Sequence, residues 1–356
     1  MHKKINNIII SNNFLIFNKY ISKIKISKII ILLDNNIKKK CFKKISNYIP
    51  NKFKKNIKII NILSGEKYKN LNTCIYIWKK LIKYNIDKHS LLINLGGGVI
   101  TDLGGFVGSL FKRGIRFINI PTTLLGMVDA SIGGKNGINF YKLKNEIGVI
   151  NNPIKIFINY DFLSSLPKKE ILSGFGEILK YGLIYDKKFW NYIKKINLNK
   201  INNWGKIIYK AVKIKNQIVK KDPEELLGIR KILNFGHTIG HAIESLFLLK
   251  KKKITHGESI ALGMICESWI SKKKKYLSYS EYKEISNTIL SYYKIKFIKK
   301  KFFNYIISLI KNDKKNFNNK IYFVLLKKIG LSVYNIKVNK KNIIKSIKVM
   351  NNLKSK

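Results

Sequence analysis

The sequence predicts an α/β chain in two parts, a parallel-sheet half over residues 1–160 followed by a mainly α-helical half over residues 161–356. Three observations carry that expectation. Strand-like and helix-like segments alternate through the first half with short connections, which is the pattern of βαβ units and a parallel sheet. From Pro167 onward apolar residues recur at helical spacing instead. At 356 residues the chain is also long for one core, so two domains are expected.

The elements follow in order. Lys28–Leu33 reads as a strand, Ile37–Tyr48 as a helix, Ile57–Leu63 as a strand, Lys69–Lys83 as a helix and Leu91–Leu95 as a buried strand. A glycine-rich turn comes next, then a helix over Leu103–Phe111 and a strand at Ile115–Ile120 that Pro121 stops. The boundary falls between Asn152–Pro153 and Asp161. Beyond it, helices are expected near 167–183, 203–220, 234–248, 257–273 and 280–292, with one late strand at Ile321–Leu326 and a partly solvated Lys-rich tail. No internal repeat is visible.

Composition excludes several classes. Lys+Arg 71 against Asp+Glu 19 gives a formal charge of +52, which by itself would point to a polyanion such as nucleic acid or a membrane surface. The excess is nearly all lysine, however, and isoleucine and asparagine are overused with it, as drift toward AT-rich codons would produce. The charge also avoids the patterned stretch 91–140, whose only cations are Lys112, Arg113, Arg116 and Lys135 against Asp102 and Asp129. No aromatic-interleaved basic motif stands out, so neither nucleic acid nor membrane is an expected partner. Cys41, Cys74 and Cys266 are far apart and odd in number, which gives no disulfide framework and fits a reducing cytoplasm. No signal sequence is evident, and no apolar run approaches the roughly 18 residues of a membrane span.

Two groups of residues carry chemistry. Leu91–Leu95 runs into Gly96-Gly97-Gly98-Val99-Ile100-Thr101-Asp102, and a strand opening through glycines into a helix presents backbone N–H groups to a phosphate. A glycine triplet also makes a plain tight turn, and the spacing is not Gly-x-Gly-x-x-Gly. Ser64-Gly65-Glu66-Lys67-Tyr68-Lys69 follows a strand and Pro121-Thr122-Thr123 ends one, so both belong at the same carboxyl edge of the sheet, where open α/β sheets bind ligands. Each could equally be a helix cap. In the second half, Asn234-Phe235-Gly236-His237-Thr238-Ile239-Gly240-His241 places two of the chain's five histidines four residues apart, on one helical face and within reach of a shared ion or substrate. His256 lies at another helix start, and Glu177 lies on a glycine-flanked helix.

These strings resemble the 3-dehydroquinate synthase family, in the same order and at compatible spacings, from residue 34 to about 330. Arg113-Gly114, Pro121 to Leu125, Asp129, Gly133-Gly134-Lys135, Lys144-Asn145, Ser165-Leu166-Pro167 and Ser173 to Lys180 continue the likeness. The resemblance implies a Rossmann-like parallel-sheet NAD domain followed by a helical metal- and substrate-binding domain, a dehydroquinate synthase-like fold. It implies a zinc or cobalt ion held by Glu177, His237 and His256, a ligand set usual for catalytic zinc. It implies substrate contacts from Arg113, Asp129, Lys135, Asn145, Lys180, Lys215, Arg230 and Asn234, and from a lysine of Asn312-Asp313-Lys314-Lys315, either Lys314 or Lys315. His241 and Glu225 would handle protons, beside catalytic Lys135, Lys180, Arg230 and Asn234. NAD would be held by Asp34, by Ser64, Gly65, Glu66, Lys67, Tyr68 and Lys69, and by Gly97, Gly98, Val99, Ile100, Thr101 and Asp102. Thr122, Thr123, Lys135, Lys144 and the turn Phe162, Leu163, Ser164 and Ser165 would complete that site. The activity implied is conversion of a seven-carbon keto-acid phosphate to 3-dehydroquinate and phosphate, by a cytoplasmic homodimer.

Some positions depart from the pattern. The interval from Glu225 to Arg230 is one residue longer than usual in the family, which leaves Glu224 as an alternative to Glu225. Glu146 stands where an apolar residue is usual, and the loop from His241 to His256 is Lys-rich, so both are expected at the surface. Two rival enzymes share the fold's chemistry: a related sugar-phosphate cyclase, and a metal-dependent polyol dehydrogenase that would release NADH. A nucleic-acid or surface-binding protein would instead lose affinity steeply with salt.

Overall fold

A computed structural model describes residues 2–141, 143–201, 203–311 and 321–353. The chain divides into two units, the first comprising Met1–Pro167 and Asn203–Asn216, the second Lys168–Asn202 and Gln217–Lys356. The expected boundary after residue 160 is thus placed later, because the helical turn Tyr160–Ser165 buries Phe162 and Leu163 in the first unit. Asn203–Asn216 also belongs to that unit, which a boundary drawn once along the sequence cannot express.

The first unit holds β1 (Lys3–Ile5), β2 (Ile8–Ser11), β3 (Ile29–Asp34), β4 (Ile57–Ile62), β5 (Leu91–Gly96), β6 (Arg116–Pro121), β7 (Lys135–Phe140), β8 (Leu143–Ile150) and β9 (Lys155–Asn159). Seven of them form a sheet in the order β1-β2-β9-β6-β5-β3-β4, parallel except for β1. Both faces are covered, so β5 is buried at every residue and β3 from Ile29 to Leu33. The chain leaves β3 to one side for β4 and returns to its other side for β5. That reversal makes the carboxyl ends of β3 and β5 a topological switch point, the usual ligand crevice of such sheets. A separate antiparallel hairpin pairs β7 with β8.

Local differences from the sequence reading have plain causes. The expected helix 37–48 is two short helices, Asn35–Lys40 and Phe42–Ser46, interrupted at Cys41. The helix expected from Leu103 begins at Gly98, because Gly97 serves as its N-cap, a position glycine takes well. β1, β2 and β9 went unseen because each is five residues or fewer and lies in Lys- and Asn-rich surroundings.

The second unit is helical, with Lys168–Tyr185, Lys187–Ile193, His237–Leu249, His256–Lys273, Tyr279–Tyr292, Phe303–Lys311 and Lys340–Asn351, plus a hairpin of β10 (Tyr322–Lys328) and β11 (Leu331–Lys337). The His256–Lys273 helix is its axis. Its residues Gly257 and Ser259–Ser271 are all buried, as a helix surrounded by others requires. The Lys-rich tail is partly solvated, as expected: it packs through Ile343, Ile347 and Met350 and leaves Lys340, Lys341, Lys345 and Lys348 exposed.

Candidate active site

The carboxyl edge of the first unit's sheet collects the expected nucleotide contacts. The Gly98–Leu110 helix starts at the end of β5, and its N-cap Gly97 supplies no side-chain cap, so the first-turn N–H groups face the crevice. A Cβ on Gly97 would lie 3.1 Å from Thr123 and one on Gly98 3.1 Å from Ala130, so bare backbone is what lets this turn stay open. Thr122, just past the carboxyl end of β6, has a buried Oγ1 with no hydrogen-bond partner among the described residues. Lys69, buried, donates to Asp102 Oδ2 and Asn145 Oδ1, each at 2.5 Å. Burial raises the Asp102 carboxyl and the Lys69 ammonium opposes it.

Other expected contacts do structural work as well. Asp34 caps the Asn35–Lys40 helix through Asn36 and Ile37, Glu66 accepts from Asn139 at 2.9 Å, and Thr123 Oγ1 accepts from Gly126. Phe162 and Leu163 point into the core, which leaves the backbone and the hydroxyls of Ser164 and Ser165 to that turn. Lys135, Lys144 and Asn145 lie on the exposed hairpin, as does Glu146.

Asp129 and Lys215 are 86 residues apart and meet directly, with Lys215 Nζ donating at 2.6 Å to both the backbone oxygen and Oδ1 of Asp129. Arg113 is placed elsewhere. It follows the C-terminus of the Gly98–Leu110 helix and precedes β6, at the amino edge of the sheet, so it does not join Asp129 and Lys215 within one chain. Lys314 and Lys315 lie outside the described residues.

In the second unit the side chains expected to ligate a metal converge. Glu177, wholly buried on the Lys168–Tyr185 helix, has Oε1 3.6 Å from His237 Nε2 and 3.5 Å from His256 Nε2. The Lys180 ammonium, itself buried, pairs with the other oxygen. Neither Glu177 oxygen meets a hydrogen bond of ordinary geometry among the described residues. His237, His241 and His256 bring ligand atoms within 4.8 Å of one another. His237 Nδ1 lies 3.1 Å from the Phe235 carbonyl, which assigns the proton to Nδ1 and leaves Nε2 as a donor to an ion. Two imidazoles and a buried carboxylate with unused lone pairs are a donor set suited to a divalent metal. His256 is surrounded by protein, which disfavours its charge, but the carboxylates of Glu177 and Glu244 outweigh burial and raise it to about 9.

Helix starts fix this geometry. Thr255 and Glu258 form a reciprocal capping box, so His256 is the first residue of its helix and cannot fray away. A Cβ on Gly257 would sit 2.0 Å from the Ser173 carbonyl oxygen, so only glycine lets the His256 and Glu177 helices approach this closely. Arg230 is buried and held by its backbone N–H on Asp222 and by its guanidinium on the Pro223 carbonyl. Glu225 sits in that turn with φ of 62° beside exposed Glu224, and Asn234 ends the next helical turn.

Three acids here were not singled out by the sequence reading. Asp222 organises the Arg230 turn, accepting from Leu227 and Arg230. Glu244 lies 3.5 Å from His256 Nδ1, and its spacing of seven from His237 places it on the same helical face, a signal present in the sequence. Glu267 is buried between Cys266 and Ser268 on the His256–Lys273 helix.

A switch-point crevice with an open helix N-terminus, and a buried carboxylate-imidazole cluster in a helical unit, define a chain built for a phosphate-bearing cofactor and a catalytic metal. Residues 59–173 match the 3-dehydroquinate synthase N-terminal family and residues 174–316 its C-terminal counterpart. The 3-dehydroquinate synthase of Parabacteroides distasonis is 41% identical over 330 residues, 92% of each chain, and that of Pelagibacter ubique 40% identical over 347 residues, 94% of this chain and 93% of the other. Among solved structures, 2-epi-5-epi-valiolone synthase from Streptomyces hygroscopicus, with NAD+ and Zn2+ bound, superposes with a TM-score of 0.83 at 20% identity over 98% of each chain. A 2-deoxy-scyllo-inosose synthase, complexed with carbaglucose-6-phosphate, NAD+ and Co2+, does so with 0.81 at 23% identity over 98% of this chain and 99% of the other. At those identities the likeness is one of fold. The chain belongs to the 3-dehydroquinate synthase family.

Among the described residues no helix is long and apolar enough to cross a membrane.

Proposed function

We propose that the chain is a 3-dehydroquinate synthase, a lyase that converts 3-deoxy-D-arabino-heptulosonate 7-phosphate to 3-dehydroquinate and phosphate. The observation that carries the reading is Glu177, buried between the Nε2 atoms of His237 and His256 with no ordinary hydrogen bond of its own among the described residues, in a chain of this family. When bound, NAD supplies a reversible acceptor for two electrons and the metal polarises the alcohol oxygen, so that oxidation, phosphate elimination, re-reduction and internal aldol closure can follow on one substrate.

Glu177, His237 and His256 hold the ion, because both imidazole Nε2 atoms already face one oxygen of Glu177. His241 projects beside them as the group that takes or returns a proton. Within the second unit Lys180 and Arg230 are buried cations suited to anionic ends of the substrate; within the first, Lys215 is a buried cation fixed by Asp129. Asn234 serves a substrate hydroxyl. The open start of the Gly98–Leu110 helix takes the NAD pyrophosphate, with Lys69, Asp102, Thr122 and Thr123 around it.

The family reading also carries a homodimer, and the exposed apolar side chains Phe140, Tyr141, Leu143, Ile147 and Ile150 of the β7–β8 hairpin support it.

The deciding assay measures phosphate release from the keto-acid phosphate. Release that needs both NAD and a divalent metal, with no NADH accumulating, is expected. Steady NADH production would assign a polyol dehydrogenase instead, and no phosphate release from this substrate with release from another sugar phosphate would assign a related cyclase.

A further inference from the structure

The buried carboxylate of Glu267 has no part in the chemistry described so far. It is fully buried on the His256–Lys273 helix, where an acid must be satisfied to be tolerated. Its Oε2 accepts from the Gly236 N–H at 2.6 Å and its Oε1 from the Ile239 N–H at 3.2 Å. Both donors belong to the start of the His237–Leu249 helix, whose own N-cap, Gly236, has a φ of 80° and no side-chain cap. Glu267 therefore caps that helix from a neighbouring one, at the end where a negative charge is stabilised.

One detail makes this more than a cap. The Gly236 N–H and the Phe235 carbonyl are the two ends of a single peptide group. The N–H end donates to Glu267 at 2.6 Å, and the carbonyl end receives His237 Nδ1 at 3.1 Å. A carboxylate drawing on the N–H polarises the peptide and makes its carbonyl a better acceptor, because hydrogen bonds in a low-dielectric interior strengthen one another. The ring held by that carbonyl is the one whose Nε2 faces Glu177 at 3.6 Å.

We propose that Glu267 is a positioning residue of the metal centre, which through the Phe235–Gly236 peptide fixes the tautomer and aim of the His237 imidazole. It does for His237 through one peptide group what a directly bonded carboxylate does for many metal-bound histidines. The inference rests on His237 being a metal ligand.

The test is zinc affinity of the full chain, read by competition with a chromophoric chelator, together with the visible absorption of the cobalt-loaded protein. Glu267→Gln keeps the shape and one acceptor oxygen but removes the charge. It is expected to weaken zinc binding by roughly tenfold or more and to shift the cobalt bands. Wild-type affinity and an unchanged spectrum overturn the proposal. His237→Ala separates positioning from general stability, since in that background Glu267→Gln should weaken zinc no further. A further loss there would mark a merely structural cap and also overturn it. If His237→Ala itself keeps wild-type zinc affinity, the ligand assignment fails and the inference with it. Should Glu267→Gln not fold, Glu267→Asp, which keeps the charge but shortens its reach, decides in the same way.

Discussion

Gly257 offers the sharpest test of how the fold builds the metal centre. A methyl group at this position would stand 2.0 Å from the Ser173 carbonyl oxygen and 2.6 Å from its carbon, both backbone atoms that cannot swing aside. Ordinary contact for a Cβ begins near 3.4 Å, so Gly257→Ala must push the two helices apart by about 1.4 Å. Gly176 faces the same crossing, where its own Cβ would lie 2.8 Å from the Gly257 carbonyl oxygen, so the far helix has no slack either. Overpacking of this kind costs roughly 1–3 kcal/mol of stability. The functional effect should be larger. The moved residue adjoins His256, and the helix it is pushed from carries Glu177, whereas metal–ligand distances hold to within roughly 0.2 Å. The expected outcome is a tenfold to hundredfold loss of zinc affinity, about the scale seen when a metal site's support is removed. Chelator competition reads the affinity and thermal unfolding of the zinc-free chain reads the stability. Gly257→Ala with wild-type zinc affinity would refute the claim that glycine contact sets the spacing between Glu177 and His256.

Two further outcomes concern the first unit. Lys69→Met removes the cation between Asp102 and Asn145, so the Asp102 carboxyl, already raised by burial, should rise further and NAD affinity should fall by about tenfold, the lower end for a charge-assisted hydrogen bond; an unchanged Kd by calorimetry would take Lys69 out of the nucleotide site. Asp87 Oδ1 accepts from Ser27 Oγ at 2.6 Å, His89 N–H at 2.8 Å and Ser90 Oγ at 3.0 Å, and the Ser27 bond above all holds its carboxyl below the ordinary value. A depressed carboxyl stabilises the fold above its unfolded pKa and loses that contribution as pH falls through the folded one. Asp87→Asn should therefore cost about 1 kcal/mol near pH 7, a figure kept low because the site is partly exposed, and the gap from wild type should close below about pH 4. A gap in urea midpoint that stays constant across that range would contradict the assignment.

Much of the fold was legible because the signals were long or fully buried. β3 and β5 read as strands since nearly every residue is apolar and both faces are covered, and the helices of the second unit read through their repeating apolar faces. What escaped was short or held by distant partners. β1 and β2 exist because β2 pairs with β9, nearly 150 residues later in the chain, and no local pattern announces that pairing. Asn203–Asn216 joins the first unit for the same kind of reason, since Lys215 is held by Asp129.

The site divides along a similar line. Glu177, His237 and His256 were legible as a set only through likeness to the family, because spacing alone links His237 to His241 and says nothing of a carboxylate 60 residues earlier. The geometry supplies the missing reason: glycines at 176 and 257 let two helices touch, and the touching brings Glu177 to His256. Glu267 was illegible for a different cause. An acid in a buried helix announces that some buried donor needs it, but not which one, and its donors are backbone N–H groups that carry no residue signature at all. Supporting groups that act through the main chain are therefore the part of a catalytic centre that sequence patterns reveal least. They are found by asking which buried charge the stated chemistry leaves unused.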